Sequence, residues 1–186
     1  DGPAQMVIIT DPGQDLDDEM ALIMLRHLQD RQLARPLAII STLEPAADRA
    51  RLAKGTCTLL GLHDVPIGIG SDGGDEKAVH SSRSFRDAPY LPTDMSAMEP
   101  AQRLLYRVFH SAAPKSITLL VIASFKDPAM FLRDQSELFA QKVKDVVVMG
   151  GVLPPDASGV LVVRRHHSNT VSFGPRSLPA PIPLSC

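Results

Sequence analysis

The chain has 186 residues, a hydrophobic content of 44% and a formal net charge of −2. This length suits one α/β domain that can bury a core, and the small net charge gives no general attraction to nucleic acid or anionic membranes. Aromatic residues make up 4% of the chain, with no Trp, so aromatic platforms for stacking single-stranded nucleic acid are not expected.

The cysteine content and the hydropathy pattern favour a cytoplasmic protein. Two cysteines, Cys57 and Cys186, form no disulfide framework, and Cys57 lies in a helical pattern where a small buried apolar residue is expected. No apolar run approaches the ~18 residues of a membrane span, and no signal peptide is visible. We therefore expect a reducing compartment and neither nucleic-acid nor membrane partners.

Short apolar runs alternate with amphipathic stretches along the first four-fifths of the chain. Strands are predicted over residues 6–10, 37–40, 65–69, 117–122 and 146–149, and helices over 17–34, 45–62, 97–112 and 126–142, the last as one helix or two. Residues 71–95 are rich in Gly, Ser, Asp and Pro and predict a long loop, which in a compact domain is usually functional or mobile. Three methionines, Met20, Met24 and Met149, are expected to fill the core.

This alternation predicts an α/β fold with a mostly parallel, open sheet and helices on both faces. Ligands of such sheets bind at the carboxyl ends of the strands. Asp11, the turn over residues 124–127 and the Gly150-Gly151 pair all follow predicted strands, so we expect them at one edge of the sheet.

The last part of the chain breaks the pattern. A further strand is possible over residues 160–163, but the rest is rich in Pro, Ser and Arg and has no periodicity. We therefore predict an α/β domain over residues 1–153 and an irregular tail over residues 154–186.

Five carboxylates lie in the turn between the first strand and the first helix. They are Asp11, Asp15, Asp17, Asp18 and Glu19. Like charges at this density are costly unless a cation or a helix N-terminus offsets them. Helix capping explains one or two of them, and oxygen-rich clusters suit Ca²⁺ or Mg²⁺. The turn therefore predicts a metal site, although its spacing is not that of an EF-hand.

Three segments resemble one known family over residues 6–152. They are Ile8-Ile9-Thr10-Asp11-Pro12-Gly13 with Leu16-Asp17-Asp18 and Ala21-Leu22; Asp64-Val65-Pro66-Ile67-Gly68-Ile69-Gly70; and Val146-Val147-Val148-Met149-Gly150-Gly151. The first closely resembles the Asp-x-Asp-Pro-Gly-x-Asp-Asp signature of the calcium-dependent nucleoside hydrolases. The resemblance implies their Rossmann-like core and hydrolysis of the N-glycosidic bond of ribonucleosides with Ca²⁺.

The resemblance also implies roles for individual residues. Asp11 would be a calcium ligand and the base that takes a proton from water, and Asp18 would be a second, bidentate ligand. Asp17 would bind the ribose hydroxyls, and Lys126 would give the ion a backbone carbonyl. His80 and Asn169 are candidates for the ribose or base pocket.

This chain departs from the family pattern at several positions. Ile9 replaces the first Asp of the signature, and the extra Gln14-Asp15 makes Asp15 a rival of Asp17 for the ribose. Leu43-Glu44-Pro45 stands where the family has an Asn. Family members are about twice as long as the structured part of this chain, and nothing after Gly151 resembles their late Asp and His segment. We therefore expect the C-terminal part of the fold to be missing or aberrant, as in a truncated or frame-altered product, which a transcript covering residues 155–186 would test.

Two other functions stay open from the residues. An Asp-rich strand end also suits a Mg²⁺-dependent phosphohydrolase, although no Lys or Ser/Thr phosphate motif accompanies the turn. An inactive homologue could still bind a cation or ribose. An incomplete sheet with an exposed edge would also favour a homo-oligomer.

Overall fold

The computed structural model describes residues 2–13, 15–74, 87–96, 98–152 and 163–164. The chain divides into two compact units, Asp1–Met149 and Gly150–Cys186. The predicted boundary between an α/β domain over residues 1–153 and an irregular tail over residues 154–186 stays a prediction.

The first unit follows the predicted order of strands and helices with one exception: Glu99–Pro100, in the helix predicted over residues 97–112, forms a short strand instead. Its elements are β1 Ala4–Thr10, α1 Asp17–Asp30, β2 Ala34–Ser41, α2 Ala46–Leu59, β3 Ile67–Ile69, β4 Glu99–Pro100, α3 Ala101–Ser111, β5 Ile117–Val121, α4 Lys126–Asp134, α5 Ser136–Lys142 and β6 Val143–Val148. The stretch over residues 126–142 forms two helices, one of the two predicted forms. β2 and β6 begin earlier than predicted, at Ala34 and Val143, because pairing with a neighbouring strand extends each beyond its apolar run.

The strands form one open sheet in the order β4-β3-β2-β1-β5-β6, and every pair is parallel. Thr10, the last residue of β1, is opposite Ser41 of β2, and Ile9 is opposite Val121 of β5. The carboxyl ends of these three central strands therefore lie side by side.

The core covers both faces of the sheet. Val7 and Ile9 pack with α3 and α4 in one buried cluster, where Phe109 meets Phe131 edge to face. Ile8, which points to the other face, packs with residues of α1 and α2 such as Leu22. The predicted sheet with helices on both faces is confirmed, and so is the burial of Cys57.

The prediction that three methionines fill the core is wrong. Met20, Met24 and Met149 are 58%, 55% and 53% exposed. α1 buries only the face that carries Asp18, Leu22 and Leu25, which leaves its methionines outside. Met149 follows β6, the edge strand of the sheet, where less of the surface is covered.

In the second unit, β7 (Gly151–Val152) pairs antiparallel with β8 (Val163–Arg164). Residues 160–162 of the strand predicted here lie outside the described residues. None of the helices that the structure describes is long and apolar enough to cross a membrane.

Candidate active site

The acidic turn joins the end of a buried strand to the start of an amphipathic helix. β1 ends at Thr10, which is fully buried, and α1 begins at Asp17. The residue before the helix, Leu16, makes no side-chain cap. The first helical turn carries three acidic residues, Asp17, Asp18 and Glu19, at the end of the helix where its dipole favours negative charge.

Asp18 is held against the end of β1. Its carboxylate oxygen Oδ1 accepts a hydrogen bond from the Thr10 hydroxyl and one of 3.1 Å from the backbone N–H of Asp11. The Asp18 side chain is buried, with 4% of its residue exposed, whereas Asp11 is half-buried. The fold thus holds the Asp18 carboxylate against the backbone of Asp11, and these are the two residues whose carboxylates the family resemblance implies as metal ligands.

Burial makes the charged forms of both carboxylates costly. Burial raises the pKa of Asp11 to about 7, with a further increase from the negative charge of Asp18 and a decrease from the positive charge of Arg49. Burial also raises the pKa of Asp18 to about 6, although the hydrogen bonds from Thr10 and the Asp11 N–H oppose this change. A bound cation would relieve this electrostatic cost.

The chemistry of this pair fits a hard cation in ligand type. Carboxylate oxygens are the usual ligands of Ca²⁺, which takes 6–8 oxygens in proteins. Within the described ranges, no group of three or more His, Cys, Asp or Glu side chains could hold a metal ion. Asp11 and Asp18 therefore fit part of a cation shell, and further oxygens would have to complete it.

The other acidic residues of the turn are more accessible. Asp15 and Asp17 are exposed, and their charges act on Asp11, whose pKa both raise. Glu19 is half-buried; burial raises its pKa, and its oxygen Oε2 is buried without a hydrogen-bond partner.

The remaining predicted residues are placed only in part. Lys126 is the first residue of α4; its ammonium group forms an ion pair with Asp72, and its N–H donates to the Ser124 hydroxyl at 3.1 Å. None of the contacts that the structure describes tests the predicted carbonyl role of Lys126, so that role stays a prediction. His80 and Asn169 lie outside the described residues.

The sequence reasoning missed Arg49, which supports the acidic turn from α2. This arginine is fully buried, and its Nη1 donates to the carbonyl oxygens of Asp11 at 2.7 Å and Pro12 at 2.9 Å. Burial lowers its pKa, and nearby carboxylates oppose that change. Helical periodicity offered a signal, because residue 49 shares the buried face of α2 with Ala53 and Cys57.

A second buried carboxylate, Asp127, joins the ends of β2 and β3 to α4. It accepts hydrogen bonds from the Thr42 hydroxyl at 2.6 Å, the Ser71 hydroxyl at 2.8 Å and the Ser71 N–H at 3.0 Å. Neutral donors therefore satisfy this carboxylate. The sequence placed Asp127 in a strand-end turn but gave it no role.

An open, all-parallel sheet with carboxylates at its carboxyl edge defines an α/β protein of the kind that binds ligands at that edge. The inosine-uridine preferring nucleoside hydrolase family matches residues 6–171, and the chain belongs to this family. The match extends beyond residue 152, where the resemblance in the sequence ends.

Two similar proteins are each 25% identical to this chain. A curated inosine-uridine preferring nucleoside hydrolase of Leishmania major is 25% identical over 159 residues, which are 80% of this chain and 49% of the relative. The type III effector protein XopQ, solved in complex with adenosine diphosphate ribose, is 25% identical with a TM-score of 0.72, over 87% of this chain and 49% of that one.

An inosine-uridine preferring nucleoside hydrolase from Bacillus anthracis shares the fold, with a TM-score of 0.60 at 17% identity, over 79% of this chain and 50% of that one. The described sheet thus has the α/β, Rossmann-like architecture of the nucleoside hydrolases. The chain spans about half the length of each of these proteins.

Proposed function

We propose that this protein hydrolyses the N-glycosidic bond of ribonucleosides, giving ribose and free base. The observation that carries the proposal is the pairing of Asp11 with Asp18 at the carboxyl edge of the sheet, in a chain of the nucleoside hydrolase family. Its small-molecule substrate would enter at this edge, where ligands of open parallel sheets bind.

Asp11 is the proposed base. It is half-buried, and a pKa near 7 suits a group that accepts a proton from water close to neutral pH. Loss of the base from the sugar leaves an oxocarbenium-like ring, and the negative charge of the acidic turn stabilises that positive charge. Asp17, which is exposed at the start of α1, would bind the ribose hydroxyls, with Asp15 as its rival.

Ca²⁺ is the proposed cofactor, held by the carboxylates of Asp11 and Asp18 and by the carbonyl of Lys126. When bound, it would orient the ribose diol and lower the pKa of a water molecule. The hydrogen bonds from Thr10 and from the Asp11 N–H keep the Asp18 carboxylate oriented for this role. His80 and Asn169 are the proposed contacts of the ribose or base.

The test is release of ribose from inosine and uridine, measured as reducing sugar, with Ca²⁺ and with EDTA. We expect release with Ca²⁺ and a loss of about 100-fold or more in Asp11→Ala, because general base catalysis contributes at least that factor. Asp64→Asn is the matched control. The Asp64 side chain is 99% exposed, and the residue precedes β3, so it lies at the amino ends of the strands and away from the carboxyl edge.

Unchanged turnover in Asp11→Ala would contradict the proposed base. Absence of ribose release from the wild-type chain would refute the hydrolase. Release of p-nitrophenol from p-nitrophenyl phosphate would instead favour the Mg²⁺-dependent phosphohydrolase, which the family assignment does not support.

A second candidate function is binding of a ribose-containing ligand without turnover. XopQ, which resembles this chain with a TM-score of 0.72, was solved with adenosine diphosphate ribose. This chain spans about half of XopQ. Calorimetric titration with adenosine diphosphate ribose and with inosine tests this candidate. Saturable heat with no ribose release supports it, and no heat with either ligand contradicts it.

A further inference from the structure

We propose that Arg49 is an internal counter-charge of the acidic turn: it holds the turn's backbone in place and competes with a divalent cation for the turn's negative charge. The first part concerns the folded chain alone. The second part rests on the proposed cation site. Arg49 is thus a positioning residue, and it touches neither substrate nor reacting atoms in this scheme.

Hydrogen bonds tie Arg49 to two turns at once. Nη1 donates to the carbonyl oxygens of Asp11 and Pro12, at 2.7 and 2.9 Å, and Nε donates to the carbonyl oxygen of Glu44 at 3.3 Å. The turn after β1 and the turn after β2 are therefore joined through one guanidinium group. The carbonyls of Asp11 and Pro12 face α2, and a cation would have to compete with Arg49 for them.

The burial of Arg49 is explained by charge rather than by complete hydrogen bonding. The residue is 0% exposed, and its Nη2 is buried without a hydrogen-bond partner. A buried charge with an unpaired donor is costly unless opposite charge compensates it. Three carboxylates, those of Asp11, Asp18 and Glu19, interact favourably with it.

The same carboxylates are those that a cation would use. A guanidinium group repels a divalent ion bound beside it, and burial weakens the screening of this repulsion by solvent. Arg49 therefore stabilises the turn without a cation and lowers the affinity of the turn for one. Removing only the charge should make the turn less stable without Ca²⁺ and should strengthen Ca²⁺ binding.

The experiment compares the full-length wild-type chain with Arg49→Met and Arg49→Lys. Arg49→Met keeps an unbranched side chain and removes the charge, whereas Arg49→Lys keeps the charge and loses the planar fork of donors. The matched control is Arg51→Met, two residues along α2, where the guanidinium donates to Pro92 instead. Calorimetric titration with CaCl₂ and thermal unfolding with Ca²⁺ or EDTA need no substrate.

We expect Arg49→Met to unfold at a lower temperature than wild type in EDTA. We expect its Ca²⁺ affinity to be about tenfold or more above that of wild type, because one positive charge has been removed. Arg49→Lys should bind Ca²⁺ within about twofold of wild type, and so should Arg51→Met.

Each outcome supports or overturns the inference. If wild type binds Ca²⁺ and Arg49→Met binds it no more tightly, the counter-charge is refuted while the proposed cation site stands. If neither binds Ca²⁺, both the competition and the proposed cation site fail. If only Arg49→Met binds, the inference is supported in its strongest form. Should Arg49→Met fail to fold even in Ca²⁺, the inference is overturned if the Ca²⁺ affinity of Arg49→Lys differs from that of wild type by more than about twofold, because Lys keeps the charge.

Discussion

Replacing Asp127 by Ala removes the buried carboxylate that joins β2, β3 and α4. Three donors lose their acceptor: the Thr42 hydroxyl, the Ser71 hydroxyl and the Ser71 N–H. The Thr42 hydroxyl already shares its proton with the Ser71 carbonyl at 3.2 Å and can shift to it. Two donors of the half-buried Ser71 then stay unpaired; at about 1.5 kcal/mol each, in the lower part of the range for buried groups, the expected loss in the free energy of unfolding is about 3 kcal/mol.

Urea unfolding followed by far-UV circular dichroism measures this loss, since the chain has no Trp for fluorescence. With an m-value of about 2 kcal/mol/M, the midpoint should fall by about 1.5 M. Asp127→Asn keeps one acceptor oxygen and should lose less. Asp134→Ala, at the exposed end of the same helix, should leave the midpoint unchanged. A loss in Asp127→Ala below about 1 kcal/mol would refute this account of the network, because one unpaired donor alone costs that much.

Two further predictions concern positions away from the acidic turn. A Cβ at Gly70 would lie 2.7 Å from the backbone oxygen of Ser41, so Gly70→Ala should lower the free energy of unfolding by about 2 kcal/mol, measured by urea titration. Gly2→Ala is the control and should leave it unchanged, because a Cβ there would have no atom within 4 Å. Burial raises the pKa of the Cys57 thiol to about 12, so in a Cys186→Ser background Ellman's reagent should leave the folded chain unlabelled at pH 8 and label it once unfolded. The thiol of the unfolded chain ionises at about pH 8.5, so the free energy of unfolding should also fall as the pH rises from about 8.5 to 12, and Cys57→Ala should reduce that fall. Labelling of the folded chain as fast as the unfolded chain would contradict the burial of Cys57.

The order of elements was predictable because each strand and helix carries its own local pattern. β1 and β5 are apolar on both faces, as strands covered by helices on both sides must be. β4 was not predictable, since its two residues form a strand only through pairing with Gly68 and Ile69. The exposure of Met20 was missed because composition does not reveal which apolar face of a helix meets the sheet.

Half of the candidate site was predictable for a similar reason. Asp11 and Asp18 lie seven residues apart in one strand–turn–helix, and their pairing depends mainly on that local geometry. Arg49 reaches the same turn from 38 residues away, and Asp127 reaches Thr42 across 85. Such contacts depend on how strands are ordered in the sheet, which no local pattern specifies.

The carboxylates at the carboxyl edge of the sheet are of two kinds, which differ in the groups that compensate their charge. Asp127 receives its hydrogen bonds from neutral donors that the fold itself supplies, so it needs no ligand and holds the strand ends together. Asp11 and Asp18 are two like-charged carboxylates that are largely removed from solvent. The hydrogen bonds from Thr10 and the Asp11 N–H offset only part of the cost of burying these charges. An arrangement of that kind costs stability, and burial of this sort together with charged neighbours is typical of functional carboxylates. Asp11 and Asp18, whose charges are only partly compensated, are therefore where binding and chemistry are to be sought, rather than the fully hydrogen-bonded Asp127.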